Sequence, residues 1–372
     1  MLIYVLLYVW FVALYGLYLA NEKRICKNNG SDVNPLVYRA GYVALSFGAI
    51  ILMLGLRADF MGIDLLKDGI GYLPSFEQMS EYTFIDLYEQ GGWQNYEIGY
   101  ILLNKFVGSI WLNRQFFLFI VACLSVAPVA YVVYKYSENI FISVIVFMGL
   151  PTFVVQFSTL RLVIAMGIAF LSIYFVLDHK LWYFLALVLL ASTFHSSALI
   201  CVVIYPLFSY KNTKKSLIIN VVVLAFIFLL RRQIYYMASM IVYGSVETDS
   251  EGAIHLLMFF VAVYLFSAYF IDLDNKLSNG MLNLFWVACA IQVMGNVFTE
   301  ATRLGYYFNY ALILLVPAVF KDMKDKTKPW FRYLAMVLLV GFFIWFGYFE
   351  ISTTSWSMSN PYYFFWNAPK MN

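Results

Sequence analysis

Apolar runs about as long as a lipid bilayer is thick recur along the whole chain. They lie near residues 2–20, 37–56, 98–112, 115–134, 139–157, 160–177, 181–209, 216–230, 253–271, 281–298, 303–320 and 330–349. About 20 apolar residues in a helix cross the hydrocarbon core, where only helices and closed barrels satisfy their backbone hydrogen bonds. The runs lack the alternation of barrel strands, and 63% of all residues are hydrophobic whereas only 12% are charged. The sequence therefore predicts an all-α polytopic membrane protein.

Two of the runs have an unusual length. The run 98–112 is short for one membrane crossing, and the run 181–209 is long for one. We therefore expect about 10–12 transmembrane helices. No internal repeat and no long linker interrupts the series, which predicts a single integral membrane domain over 1–372. The first run has neither a basic leader nor a cleavage pattern, and we expect it to be a retained helix.

The lysines and arginines predict which loops face the cytoplasm, because cytoplasmic loops carry an excess of them. Three connections are basic: "NEKRICKNNG", "SYKNTKKS" and "KDMKDKTKPW". The long connection 57–97 instead has eight acidic residues against Arg57 and Lys67, so we expect it outside the cytoplasm. This alternation also places the N-terminus and the aromatic tail 350–372 outside, where the tail is predicted to lie along the membrane interface.

The middle of the chain allows two arrangements. If 181–209 is one long helix, Arg161 falls on the cytoplasmic side. If 181–209 is a hairpin broken at His195-Ser196-Ser197, and 98–134 makes one net crossing, Arg161 and His195 both approach the outside. Positive charge in the short loops around Lys135 and Lys180 favours the hairpin, and we predict that arrangement.

Arg161 and His195 are the ionisable residues that stand out within apolar runs. An arginine in the bilayer centre costs about 2.5–3.5 kcal/mol on insertion scales, so such residues usually face a cavity, a partner or a ligand. Arg161 is either an arginine that reaches the interface from a helix end or a clamp for an anion such as phosphate. His195 is either a satisfied buried histidine at a helix break or a group that accepts a proton or binds a diphosphate.

Further ionisable residues lie at the predicted outer ends of the runs. Asp64 and Glu97 adjoin glycines and apolar segments at the membrane surface. This position is less typical of a solvated loop charge than of a residue in a functional site. Outer arginines run against the positive-inside bias, which makes them candidates for function. These arginines are Arg57, Arg231, Arg232 and Arg303.

No motif for metal or nucleotide chemistry is present in the sequence. It has no Gly-rich phosphate loop, no HExxH and no GxSxG, and the "DLD" at 272–274 falls in a predicted cytoplasmic loop. The cysteines form no CxxC pair, so we expect neither a disulfide framework nor a metal site from them. They are Cys26, Cys123, Cys201 and Cys289.

The stretch "STLRLVIAMGIAFLSIYFVL", followed by "KLWYFLALVLLASTFHSSALICVVIYPL", resembles the EpsG-like, Wzy-type family of bacterial polysaccharide and O-antigen polymerases. The resemblance extends to Arg57, Gly62 and Asp64, to "YEIGYILLNKF", and to "TRLGYYF", and so covers about 57–317. The family often has Asn shortly before the arginine and Gln after it, where this chain has Ser158 and Leu162.

The resemblance implies a metal-independent membrane glycosyltransferase without a cofactor. Such enzymes transfer an oligosaccharide repeat unit from undecaprenyl diphosphate to the terminal sugar hydroxyl of another lipid-linked glycan, at the outer face of the cytoplasmic membrane. The implied fold is like that of GT-C membrane glycosyltransferases, with an outward-facing cavity. The implied partners are the lipid-linked donor and acceptor and membrane lipid, with a chain-length regulator protein as a further candidate and no nucleic acid.

This chemistry suggests roles for the residues above. The leaving diphosphate needs cations, for which Arg161 and Arg303 are the first candidates; the other candidates are Arg231, Arg232 and Arg57. His195, Glu97 and Asp64 are the candidates for the group that takes the acceptor proton. Tyr306 and Tyr307 are candidates for stacking on sugar rings, and no residue is assigned to a metal.

Two other classes of protein are alternatives, and the first of them, a flippase, would also need about twelve helices and buried arginines. A flippase for lipid-linked glycans more often has paired halves with weak internal symmetry, and the sequence has none. A membrane acyltransferase would need a catalytic histidine near a carboxylate, whereas "FHSS" has no acidic neighbour in sequence. Another polyprenyl-dependent transferase stays a further alternative.

Overall fold

The computed structural model describes residues 1–27, 35–66, 71–89, 96–243, 254–295, 297–298, 301–354 and 357–368. The described elements are helices, as predicted. They are α1 (Leu2–Lys27), α2 (Pro35–Gly55), α3 (Tyr72–Glu81), α4 (Phe84–Glu89), α5 (Ile98–Ile110), α6 (Arg114–Tyr136), α7 (Ile140–Gly149), α8 (Pro151–Val155), α9 (Leu160–Leu171), α10 (Ile173–Leu177), α11 (Leu181–Ser192), a 3₁₀-helix (Ser196–Val203), α12 (Ile204–Ser209), α13 (Lys214–Tyr243), α14 (Ile254–Phe270), α15 (Lys276–Gly295), α16 (Ala301–Asn309), α17 (Leu312–Asp322), a short 3₁₀-helix (Met323–Asp325) and α18 (Pro329–Thr353).

Among the described residues, seven helices are long and apolar enough to cross a membrane, or eight if the bent pair α16 and α17 is one span. The protein is therefore a multi-pass membrane protein. The four remaining apolar runs of the sequence form helices of 10–17 residues instead. Their breaks have local causes, such as Pro151 at the start of α8, because proline lacks the N–H that a helix interior needs.

The helices pack into two compact units that are interleaved along the chain. The first unit holds residues 1–172, 185–199 and 337–372, and the second holds 173–184 and 200–336. The single domain over 1–372 stays a prediction.

The first unit gathers the N-terminus, the loop after α2 and the chain's tail at one end, called the loop end here. The Tyr4 hydroxyl donates to the Ser359 carbonyl over 2.6 Å, and Arg57 forms an antiparallel β-bridge with Phe364. The charge pattern predicted that these three segments share a side of the membrane. The tail packs on protein as well as presenting aromatic rings, because Ser359 is fully buried whereas Trp366 is 60% exposed.

The segment 98–134 makes one net crossing, as predicted. Helix α5 packs on α3 and stays at the loop end, while α6 begins there: the Arg114 guanidinium lies 3.2 Å from Asp59. The far end of α6 is held at the opposite end of the unit, where Arg39 near the start of α2 donates to the carbonyls of Tyr134 and Ser137, each over 2.7 Å. A cation at these carbonyls also suits the negative end of the helix dipole.

The turn between α8 and α9 is clamped to the loop after α2. The buried Arg57 guanidinium donates to the carbonyls of Gln156 and Phe157 over 3.2 and 3.1 Å, and to that of Leu54 over 3.2 Å. Gly62 has φ +132°, and a Cβ there would collide with the Phe157 carbonyl. These contacts fix the position where α9, and with it Arg161, begins.

Contacts within the second unit confirm the hairpin in 181–209, whose middle part, 185–199, belongs to the first unit. Lys276 Nζ donates to the carbonyls of Val176 and Leu177, just before α11, and Asn279 donates to the Tyr210 carbonyl, just after α12. Both ends of 181–209 therefore lie beside the start of α15, and the chain reverses between α11 and the 3₁₀-helix. Lys326 bonds the end of α14 in the same way, so the loops 178–180, 210–215, 271–276 and 321–328 share one end, called the basic end here.

We predict that Gly62→Ala lowers the thermal unfolding temperature of the protein in detergent. The alanine must adopt a backbone conformation that costs a non-glycine residue about 1–3 kcal/mol, and its Cβ must displace the Phe157 carbonyl. The matched control is Gly48→Ala, because a Cβ on that helical glycine would meet no atom within 4 Å. Equal unfolding temperatures for both variants would contradict the account of this turn.

Candidate functional site

Glu97 is the centre of a cluster of polar side chains at the loop end of the first unit. Its Oε2 lies 2.5 Å from Arg161 Nη1, a charge-assisted bond of the strong class. Its Oε1 accepts a hydrogen bond from the Ser196 backbone N–H over 3.1 Å and lies 3.9 Å from His195 Nδ1. The carboxylate thus joins three segments that are far apart in sequence.

Each member of the cluster stands where a helix begins or breaks. Glu97 precedes α5 as its N-cap residue, Arg161 lies in the first turn of α9, and Ser196 opens the 3₁₀-helix. A carboxylate beside the exposed N–H groups of a helix start is electrostatically favourable. The helix ends therefore help to hold charge in a membrane protein, where isolated charge is costly.

Gly99 allows the two chain segments to approach. Its N–H donates to the Thr193 carbonyl over 2.8 Å, and a Cβ at position 99 would overlap the Thr193 side chain. Thr193 follows α11, so this contact brings the break at His195 against the start of α5. The glycine in "YEIGY" thus has a steric reason to follow Glu97 so closely.

Two tyrosines line the Arg161 guanidinium. Its central carbon lies 4.9 Å from the Tyr96 ring centre and 5.8 Å from that of Tyr72, within cation–π range. Burial raises the pKa of the Tyr72 hydroxyl, Arg161 lowers it, and the nearby Asp64 carboxylate raises it. Asp64 is therefore linked to the cluster through Tyr72, whose N–H also donates to the Asp64 carbonyl over 2.8 Å.

The cluster is partly open. The side chains of Arg161, Glu97 and His195 are 23%, 21% and 26% exposed, which leaves each of them reachable by a ligand. A cation, a carboxylate and an imidazole thus share one accessible place at the loop end. Such a set can bind an anionic group and accept a proton.

A family model described as the EpsG family matches residues 42–364, which is most of the chain and includes every residue of the cluster. The chain belongs to the EpsG family. The resemblance found in the sequence is thereby confirmed. Neither the curated proteins nor the solved structures give a significant match.

Arg57 of this EpsG protein lies in a different environment from Arg161. It is 2% exposed, its guanidinium bonds backbone carbonyls, and burial lowers its pKa to about 10. These contacts are those of a structural arginine that fixes the turn before α9. Its predicted contact with a diphosphate is not supported by this geometry, since the charged fork points into the protein.

The remaining predicted site residues belong to the second unit. Arg231 and Arg232 lie on α13, and Arg231 donates to the Phe228 carbonyl over 2.6 Å. Arg303, Tyr306 and Tyr307 lie on α16, where Arg303 is exposed, Tyr306 is half-buried and Tyr307 is buried. Glu300 and residues 90–95, which are close in sequence to Arg303 and Glu97, lie outside the described residues.

Sequence reasoning missed several parts of this EpsG site. Tyr72 and the Ser196 N–H carried no sequence signal, because aromatic residues and backbone groups are everywhere in the chain. Arg114 was also missed: it bonds Glu77 over 2.7 Å and Asp59 over 3.2 Å at the start of α6. An arginine at an outer helix end, opposite an acidic loop, was the available signal. Within the described ranges no group of three metal-binding side chains occurs.

We predict that Glu77→Gln weakens the attachment of α3 to α6 above about pH 5 but not in acid. The hydrogen bond from Arg114 lowers the pKa of Glu77 below its usual value of 4.5. Its stabilisation is therefore present above pH 4.5 and is lost as the pH falls through the lowered pKa. Because the Glu77 side chain is 42% exposed, we expect the ion pair to contribute only about 0.2–1 kcal/mol to the free energy of unfolding.

The measurement is the thermal unfolding temperature between pH 7 and acid. The unfolding temperature of wild type should exceed that of Glu77→Gln near neutral pH, and the two temperatures should converge in acid. Glu81→Gln is the matched control, since Glu81 is exposed on the same helix; it should follow wild type throughout. A constant difference between wild type and Glu77→Gln at every pH would contradict the ion pair.

Proposed function

We propose that this EpsG-family protein is a polysaccharide polymerase that joins lipid-linked repeat units. It transfers an oligosaccharide from undecaprenyl diphosphate to the terminal sugar hydroxyl of a second lipid-linked glycan. The observation that supports this most is the partly exposed cluster of Arg161, Glu97 and His195 in a chain of this family. A diphosphate and a hydroxyl are the two groups that such a cluster can hold.

The proposed reaction breaks the bond between the donor sugar and its diphosphate and forms a glycosidic bond to the acceptor. The acceptor oxygen attacks the anomeric carbon of the donor, and the bond between that carbon and the diphosphate oxygen breaks. The bonding electrons leave with the diphosphate, and the proton of the acceptor hydroxyl passes to a base. The protein must therefore supply a cation on one side of the anomeric carbon and a proton acceptor on the other.

Arg161 is the proposed cation. Its planar fork suits phosphate oxygens, and Glu97 balances its charge at 2.5 Å. A diphosphate has more negative charge than one carboxylate and can compete for the guanidinium. Binding of the donor would then draw Arg161 away from Glu97.

Glu97 is the proposed proton acceptor. A carboxylate that gives up a cationic partner becomes a better proton acceptor, so arrival of the diphosphate would activate Glu97 at the moment when a base is needed. The Ser196 N–H would keep the carboxylate in place. His195, 3.9 Å away, would contact the acceptor or the diphosphate, and Asp64 would act on Arg161 through Tyr72.

The outer face of the cytoplasmic membrane is the proposed location of the reaction. The cluster shares the loop end with the acidic connection 57–97, whereas the loops at the basic end of the second unit carry many lysines. The positive-inside bias places lysine-rich loops in the cytoplasm. Helices that border the bilayer would let the polyprenyl chain stay in the membrane while its headgroup reacts.

We predict that Arg161→Ala lowers the polymerisation rate by about 10²-fold, because removing one stabilising donor from developing negative charge costs about that much. Arg161→Lys should lose less activity, since lysine keeps the positive charge but not the planar pair of N–H donors. Glu97→Gln should lose about 10²–10⁴-fold as expected for a proton acceptor. The assay incubates detergent-purified protein with a lipid-diphosphate-linked repeat unit and chelator, without nucleotide sugar, and follows the ladder of longer lipid-linked glycans.

A matched control separates chemistry from folding. Arg332→Ala removes the same side chain as Arg161→Ala at a position outside the cluster, and it should keep the wild-type rate. Variants of Arg231, Arg232, Arg303, Tyr306 and Tyr307 test, in the same assay, the diphosphate and sugar contacts that the sequence predicts for these residues. No ladder from folded wild type with its correct substrate would contradict a polymerase and favour transport or another transferase.

A further inference from the structure

A cavity of this protein lies wholly within the second unit, at its basic end. It has a volume of about 950 Å³, and it is lined by the first turns of α13, the last turns of α14, the following loop and the start of α18. The helices α13 and α14 both pack on α15, and the cavity opens in the gap between them. The catalytic cluster of the first unit contributes no residue to it.

The walls of the cavity are apolar and open to the outside of the protein. Leu265, Ile218 and Tyr269, which line it, are 45%, 66% and 80% exposed. In a bilayer these side chains meet lipid chains, and α13 is among the helices long and apolar enough to cross a membrane. The cavity is therefore a groove that an acyl chain can enter sideways from the membrane.

Two lysines stand at the polar end of this groove, and no acidic residue is among the described residues that line it. Lys326 Nζ is held in place by the carbonyls of Phe270 and Ile271 over 2.7 and 3.2 Å. Lys214 is exposed and lies one turn from Ile218 on α13. Thr327 adds a hydroxyl, which donates to the Met323 carbonyl over 2.9 Å and keeps its lone pairs as hydrogen-bond acceptors.

The acidic residues nearby offset only part of this charge. Asp274 is paired with Lys211 at 2.7 Å. The Asp322 carboxylate accepts the Asp272 backbone N–H over 2.7 Å and also interacts with Lys326. Lys215, Lys324 and Lys328 add positive charge in the same loops. The groove thus combines an apolar channel with a net cationic mouth.

We propose that this groove binds a membrane phospholipid with an anionic headgroup. The phosphate would lie between Lys214 and Lys326, and an acyl chain would fill the gap between α13 and α14. Basic pockets between transmembrane helices at the cytoplasmic side are suited to such headgroups. The site is separate from the proposed reaction, and it ties the second unit to one leaflet through a charge contact.

The test measures lipid binding to the full-length protein in detergent by native mass spectrometry. Phosphatidylglycerol and phosphatidylcholine with the same acyl chains are compared. The anionic lipid should bind more tightly, and Lys214→Gln should weaken its binding about fivefold, since each lysine near an anionic lipid headgroup contributes about 1 kcal/mol. Lys324→Gln, which removes a lysine at the same end but outside the groove, should bind like wild type.

A second pair of variants tests the apolar part of the groove without changing charge. Ala268 lines the cavity, so the indole of Ala268→Trp should obstruct the entry of an acyl chain and abolish the preference for the anionic lipid. Ala262→Trp is the matched control, because Ala262 is exposed on the same helix and does not line the cavity. Water-soluble glycerol phosphate should not compete at equal concentration.

The proposal is overturned if the two lipids bind equally, if Lys214→Gln and Lys324→Gln weaken binding alike, or if Ala268→Trp retains the lipid preference. Competition by glycerol phosphate would also overturn it, because the site would then recognise free phosphate. These experiments measure lipid binding alone, so their results do not depend on whether the protein is a polymerase.

Discussion

The ion pair between Glu97 and Arg161 is the interaction around which the first unit is arranged. A charge in a membrane protein is costly unless it is paired and hydrogen-bonded, and the 2.5 Å contact meets this need for both residues. The Ser196 N–H donates a hydrogen bond to the second carboxylate oxygen of Glu97. Three helix starts must therefore meet at one point, which determines how α5, α9 and the 181–209 hairpin are placed.

Residues that take no direct part in the cluster make this meeting possible. Arg57 and Gly62 clamp the turn before α9, and Gly99 allows the break after α11 to approach α5. The tail supports the same region through its bridge to Arg57. A defect in any of these supports would reach the cluster through backbone position, and a fall in activity alone would therefore not identify a catalytic residue.

The sequence predicted the helical class, the hairpin at His195 and the meeting of Arg161 with His195, because ionisable groups in apolar runs are costly enough to stand out. It did not predict that Arg57 is structural, since its partners at 156 and 157 are joined to it only by the fold. Tyr72 was equally hidden, because it is one of 30 tyrosines. The aromatic tail fitted a membrane interface by composition, and only the burial of Ser359 shows that it also packs on protein.

The central claim is that a lipid diphosphate takes Arg161 from Glu97 and so frees the carboxylate to accept a proton. The most direct test is an experimental structure of the protein with a bound, non-reacting lipid-diphosphate-linked glycan. The account predicts that the Arg161 guanidinium bonds the diphosphate oxygens and that its distance to Glu97 Oε2 grows well beyond 2.5 Å, with Glu97 still held by the Ser196 N–H. A diphosphate bound elsewhere, with the Glu97–Arg161 pair intact, would contradict it.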